Sequence, residues 1–124
     1  MRTRKRWHIF LIVFAEMLIA SPKRITGVEG VVTIDGSPFA GVEVEASSAS
    51  IGAFWETSTN LSGHYLLDEM RPGRYTMWAE ASGHGCIVIP RVVIKDGVRT
   101  RQDFHFRKGR TYPGCESLKP QKRR

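Results

Sequence analysis

This chain has little cysteine, a single asparagine and only one apolar run of any length, a short one, and each shortage narrows the reading. Two cysteines in 124 residues, Cys86 and Cys115, allow one disulfide and rule out a disulfide-dense scaffold. Asn60 is the only asparagine and lies in an expected turn, which removes Lys–Asn crosslinks between adjacent strands. The longest apolar run, residues 7–20, is interrupted by Glu16. As a helix it rises about 21 Å, at roughly 1.5 Å per residue, against a hydrocarbon core of roughly 30 Å. After residue 24 no stretch carries the spacing of an amphipathic helix. None of the four histidines, His8, His64, His84 and His105, has a glutamate three residues on, so a His-x-x-Glu metal pair is absent.

What is present fits one folded unit. Hydrophobic residues make up 41% and charged residues 25% of the chain, enough apolar material for a single core and too few charges for global disorder. The formal net charge of +7 belongs to the ends. Residues 1–24 hold six basic residues against one acidic, and residues 107–124 hold seven against one. The middle, 25–106, holds six basic against ten acidic. The expected fold is therefore mildly acidic, and no nucleic-acid partner is expected.

Arg2, Arg4, Lys5 and Arg6 precede the short apolar run that ends at Ala20. A basic segment followed by a short hydrophobic one is the pattern of a secretory leader. Residues 1–20 are read as a helical signal peptide or a retained signal anchor, with residues 7–20 as the membrane-facing part. Export would place the protein in a secreted, periplasmic or extracellular setting. There Cys86 and Cys115 are expected to pair.

From residue 25 the pattern alternates. Val28, Gly30, Val32 and Ile34 share one side of a strand. Val42, Val44 and Ala46 point inward while Glu43 and Glu45 face water. A strand over 54–59 meets a turn at Asn60-Leu61-Ser62-Gly63, and Tyr65 and Leu67 then share a face. After Met70-Arg71-Pro72-Gly73, Tyr75, Met77, Ala79 and Ala81 alternate with Arg74, Thr76, Trp78 and Glu80. Asp96-Gly97 reads as a hairpin turn. A last strand sets Phe104 and Phe106 on one side and Arg99, Arg101, Asp103, His105 and Arg107 on the other. The reading is all-β: a seven-stranded antiparallel Greek-key sandwich over 25–107, with turns every eight to twelve residues. Residues 108–124 read as a basic irregular tail. The core is expected at Val42, Val44, Tyr65, Leu67, Tyr75, Val92, Ile94 and Phe104.

The order of these pieces resembles the carboxypeptidase regulatory-like domain, a transthyretin-like β-sandwich family. The matching residues are Gly30-Val31-Val32, Gly36 to Pro38, Gly41-Val42-Glu43-Val44, Thr59-Asn60-Leu61-Ser62-Gly63-His64-Tyr65, Pro72-Gly73-Arg74-Tyr75, Gly83, and Val92-Val93-Ile94. The family usually has aspartate where this chain has Asn60. The resemblance implies a folding aid, spacer or adhesive module rather than an enzyme. Metallocarboxypeptidase chemistry does not come with it, since the His-x-x-Glu pair is missing. A transthyretin-like hydrolase would want a terminal Tyr-Arg-Gly-Ser, and the chain has Tyr112-Pro113-Gly114-Cys115. An intradiol dioxygenase would need two tyrosines and two histidines free to hold iron, whereas Tyr65 and Tyr75 are expected in the core.

No cofactor is expected, and no catalytic residue is assigned. His84, Cys86 and Cys115 are a weak alternative metal set. Asn60-Leu61-Ser62 fits a glycosylation acceptor. Two surfaces are candidates for binding. Trp78, with Trp55 nearby, is expected outward, where indole faces stack on sugar rings. Arg99, Arg101, His105 and Arg107, with the basic tail, form a candidate cationic stripe for a polyanion or an anionic membrane. Sequence thus points to a non-enzymatic exported module with an unidentified protein or glycan partner. A carbohydrate- or polyanion-binding protein is the alternative, and a small hydrolase with an unrecognised site a further one.

Overall fold

The computed structural model describes residues 25–117. The expected leader at 1–20 and the end of the expected tail lie outside these residues. Among the described residues, no helix is long and apolar enough to cross a membrane.

Nine strands form two sheets: β1 Gly27–Ile34, β2 Ser37–Pro38, β3 Glu43–Ser48, β4 Ala53–Ser58, β5 His64–Leu67, β6 Gly73–Ala81, β7 Gly85–Ile94, β8 Arg99–Arg101 and β9 Phe104–Phe106. The first sheet is built on β1, which pairs antiparallel with β2 and β5 and parallel with β8 and β9. The second runs β4-β3-β6-β7, antiparallel throughout. The fold is an all-β sandwich with two differences from expectation: nine strands instead of seven, and a mixed first sheet.

Alternation explains the core. Val28 and Val32 from β1, Tyr65 and Leu67 from β5, and Phe104 and Phe106 from β9 meet Val44, Ala46, Tyr75, Met77, Ala79, Val92 and Ile94 from the second sheet. All eight positions expected inside are buried. At about 25 cal/mol per Å² of apolar surface removed from water, this interior is the main stabilising term.

The last strand is split in two because Asp103 takes over a backbone role. Its carboxylate accepts the Val31 amide at 2.9 Å. The Gln102 amide donates to the Glu29 carbonyl at 2.9 Å, and the Gln102 carbonyl turns inward to accept the Tyr65 hydroxyl at 2.5 Å. A Cβ at Gly30 would collide with that carbonyl, so the close approach requires glycine. Asn60 holds the neighbouring turn. Its side-chain oxygen accepts the Ser62 and His64 amides at 3.0 and 2.9 Å and the Ser62 hydroxyl at 2.8 Å. Only an acceptor is used, so asparagine serves where an aspartate would.

The expected hairpin at Asp96-Gly97 is not one. The turn closes locally, Val98 amide to Lys95 carbonyl at 3.2 Å, but β7 and β8 lie in different sheets. The two residues specify a turn and carry no information about the strands it joins. Thr26 fixes the crossover by accepting the Gly97 amide at 2.8 Å.

Candidate binding surfaces

Trp55 and Trp78 lie on opposite faces of the second sheet. Ala46 pairs with Trp55 and with Met77, so Trp55 faces the interior, its ring edge-on to Tyr75 at 5.9 Å. Glu45 pairs with Trp78, which points outward as its alternation demands. Trp78 is nevertheless buried, packed with Cys86, Cys115 and Val88. The expected exposed tryptophan pair is thus corrected: one indole serves the core, the other is covered, and no shared platform for a sugar ring exists. The missing information was what lies over the outer face.

The cover is the segment after β9. Tyr112 packs edge-on against Phe106 at 5.1 Å and accepts the Arg107 amide at 3.0 Å, while the Arg110 guanidinium sits over its ring at 5.4 Å. The Pro113 carbonyl accepts the Cys86 amide at 2.8 Å. Cys86 and Cys115 then form a disulfide, and Cys115 opens the short 3-10 turn Cys115–Ser117. Residues 108–117, expected as a tail, are irregular in conformation yet strapped across the sandwich. With both sulfurs bonded to each other, the set His84, Cys86 and Cys115 is not a metal site. His84 instead stacks edge-on against Phe39 at 5.3 Å.

The expected cationic stripe is neutralised where it should be strongest. Arg99 lies 3.2 Å from Asp68 and 3.8 Å from Glu29, and Arg101 lies 3.1 Å from Asp103. His105 Nδ1 is 2.7 Å from the Thr33 hydroxyl. Exposed pairs of this kind contribute little to stability, but they cancel the local field. His105 and Arg107, at the end of the row, carry no carboxylate partner among the described residues. The Thr33–His105 contact lies beside a shallow cavity of about 370 Å³ that also takes in Asp35. The Asp35 carboxylate accepts the Lys108 amide at 3.2 Å, and among the described residues no hydrogen bond or ion pair joins it to His105.

Sequence reading missed an acidic cluster. Glu45 pairs with Glu56, and Glu43 with Glu80, across adjacent strands of the outer face. Carboxylate oxygens of Glu43, Glu45 and Glu56 lie within 4.8 Å of one another. Glu45, expected in water, is buried there between its cross-strand neighbours Glu56 and Trp78. The period-two run Glu43-Val44-Glu45 carried half of this signal, and the register of β4 supplied the rest. Two tyrosines have shifted acidity. Burial, reinforced by the Asp103 carboxylate, holds the Tyr65 phenol well above the ordinary tyrosine range, and burial raises Tyr75 as well. Their hydroxyls donate to the backbone carbonyls of Gln102 and Arg71, which are structural duties.

Comparison with known families agrees with this architecture. Residues 27–107 match the model of the carboxypeptidase regulatory-like domain, and the match covers β1 through β9. No curated protein matches the chain. The match takes in well over half of the sequence, and the chain belongs to the carboxypeptidase regulatory-like domain family. The strap from 108 to 117, with Cys115, lies beyond the matched residues.

Proposed function

We propose that this member of a non-catalytic domain family works outside the cytoplasm as a structural or binding module, exported by residues 1–20 and locked by its disulfide. The observation that carries the reading is the Cys86–Cys115 bond itself. It joins the middle of the matched domain to a strap beyond it and covers Trp78. Structural disulfides of this kind persist in oxidising compartments and are rare in reducing ones. The strongly basic start of the chain, followed by a short apolar run, supports the same placement. The distinctive residues Asn60, Gly63, Tyr65 and Tyr75 are taken up by turns and core packing, which supports a scaffold role over turnover.

The test is to produce the full chain in a cell with a secretory route and to probe its thiols by alkylation. Chain recovered outside the cytoplasm, with Cys86 and Cys115 modified only after reduction, is the expected result. Retention inside the cell with both thiols freely alkylated would overturn the reading.

A further inference from the structure

The bulge in β7 builds a surface that the ion-paired face does not offer. Tyr75 pairs with Val92 and Met77 with Ile89, so Thr76 alone stands opposite both Pro90 and Arg91. Arg91 accommodates the extra residue with φ 57°, in the left-handed region. Glycine or asparagine would hold that conformation at lower cost than arginine. Bulges commonly re-aim a side chain, and this one brings Arg91 to the rim of a cavity shared with Arg74.

The cavity, about 610 Å³, is lined by both arginines together with Ser47, Ser50 and Thr76. No aspartate or glutamate is among its lining residues. Ser47 and Thr76 are a cross-strand pair on the outer face, and both line the cavity. Arg74 and Arg91 are both exposed, and neither has an acidic partner among the described residues. This contrasts with Arg99 and Arg101. Two guanidinium forks present parallel N–H donors in a geometry suited to oxyanions, and flanking hydroxyls add single donors. A tetrahedral oxyanion offers three or more oxygens to two forks and two hydroxyls, a closer match to this many donors than the two oxygens of a lone carboxylate. The depression is open to solvent, so an anionic group can enter it while the rest of the molecule that carries it stays outside.

We propose that Arg74 and Arg91, with the hydroxyls of Ser47 and Thr76, form a binding site for a sulfate or phosphate group carried on a larger polar molecule. The inference deepens the proposed binding role and depends on this chain acting by binding rather than turnover. It relocates the cationic site from the Arg99 row to the bulge.

The experiment titrates the full, disulfide-bonded chain by calorimetry and by amide chemical shifts, with four probes: sodium sulfate, sodium phosphate, a sulfated disaccharide and its unsulfated parent. Saturable binding of the sulfated disaccharide, competed by sulfate and absent for the parent, is expected, with shifts at Ser47, Thr76 and Arg91. Saturation by phosphate and not by sulfate also supports the site and assigns it to phosphate. Arg91→Gly and Arg74→Gln should each weaken binding by about tenfold or more. Lys95→Gln, elsewhere on the surface, should not. Because glycine suits the backbone at 91, Arg91→Gly keeps the fold, and a melting temperature that is unchanged or raised rules out misfolding as the cause. Undiminished binding by Arg91→Gly, or no saturation with any of the three anions, overturns the proposal. Failure here in a chain that is exported and disulfide-bonded leaves the module reading standing; binding by a chain retained in the cytoplasm separates the two the other way.

Discussion

Tyr65 shows how one side chain can hold a strand break in place. Its hydroxyl is the donor to the inward-turned Gln102 carbonyl, and its ring lies 6.1 Å from that of Phe104. Tyr65→Phe keeps the ring and leaves that carbonyl without its donor, which should cost about 1–3 kcal/mol in chemical denaturation. The same residue makes an alkaline prediction. Its folded pKa lies above its unfolded value near 10, so its contribution is fully present below about pH 10 and is lost as pH rises through the folded value. The melting temperature should fall above about pH 10, and the fall should be shallower in Tyr65→Phe. An identical slope in both proteins would show that other groups govern it. The sequence placed Tyr65 in the core by alternation with Leu67. Its hydrogen-bond partner was illegible, because Gln102 lies 37 residues away and turns inward only where Asp103 replaces a backbone acceptor.

At the level of elements, the strap is the part that periodicity could not reach. Strand patterns declare themselves by alternation, and residues 108–117 have none. They are instead held by the Tyr112–Phe106 ring contact, by hydrogen bonds to the Asp35 carboxylate and from the Arg107 and Cys86 amides, and by a disulfide spanning 29 residues. Closing a loop of that size contributes about 3–4 kcal/mol in the chain-entropy account. Cys115→Ser should therefore lower stability by about that much. It should also uncover Trp78 and move tryptophan emission to longer wavelength, while Trp55, seated on the core side, reports little change. The Trp78 error has the same origin. Its direction was readable from Tyr75 and Met77, but its exposure depended on an element with no pattern. The β7 bulge was hidden likewise, since Pro90 and Arg91 interrupt an otherwise regular run without announcing which residue opposes them.

Across the whole molecule, charge and topology tell different stories. Net charge by segment was legible, and the middle of the chain is acidic as counted. Its arrangement was not: four glutamates gather on the outer face of one sheet, while the acids of the other sheet pair with Arg99 and Arg101. Which strands meet was equally beyond local pattern, because β1 takes β8 and β9 as parallel neighbours from the far end of the chain. Phe104 and Phe106 complete the interior from that edge. A chain cut after residue 98 keeps seven strands yet lacks both rings, and it should show no cooperative melting transition and rapid proteolysis. A protected, sharply melting fragment would mean that the second sheet is stable alone.

That parallel pairing also sets a timetable. Residues 27–34 lack a neighbour along one flank until residues 99–106 are available, so the first sheet closes only once both ends of the domain are present. Long sequence separation slows such closure further. Under the proposed export, a final strand that completes the first one would postpone closure of the first sheet until the far end of the domain is on hand.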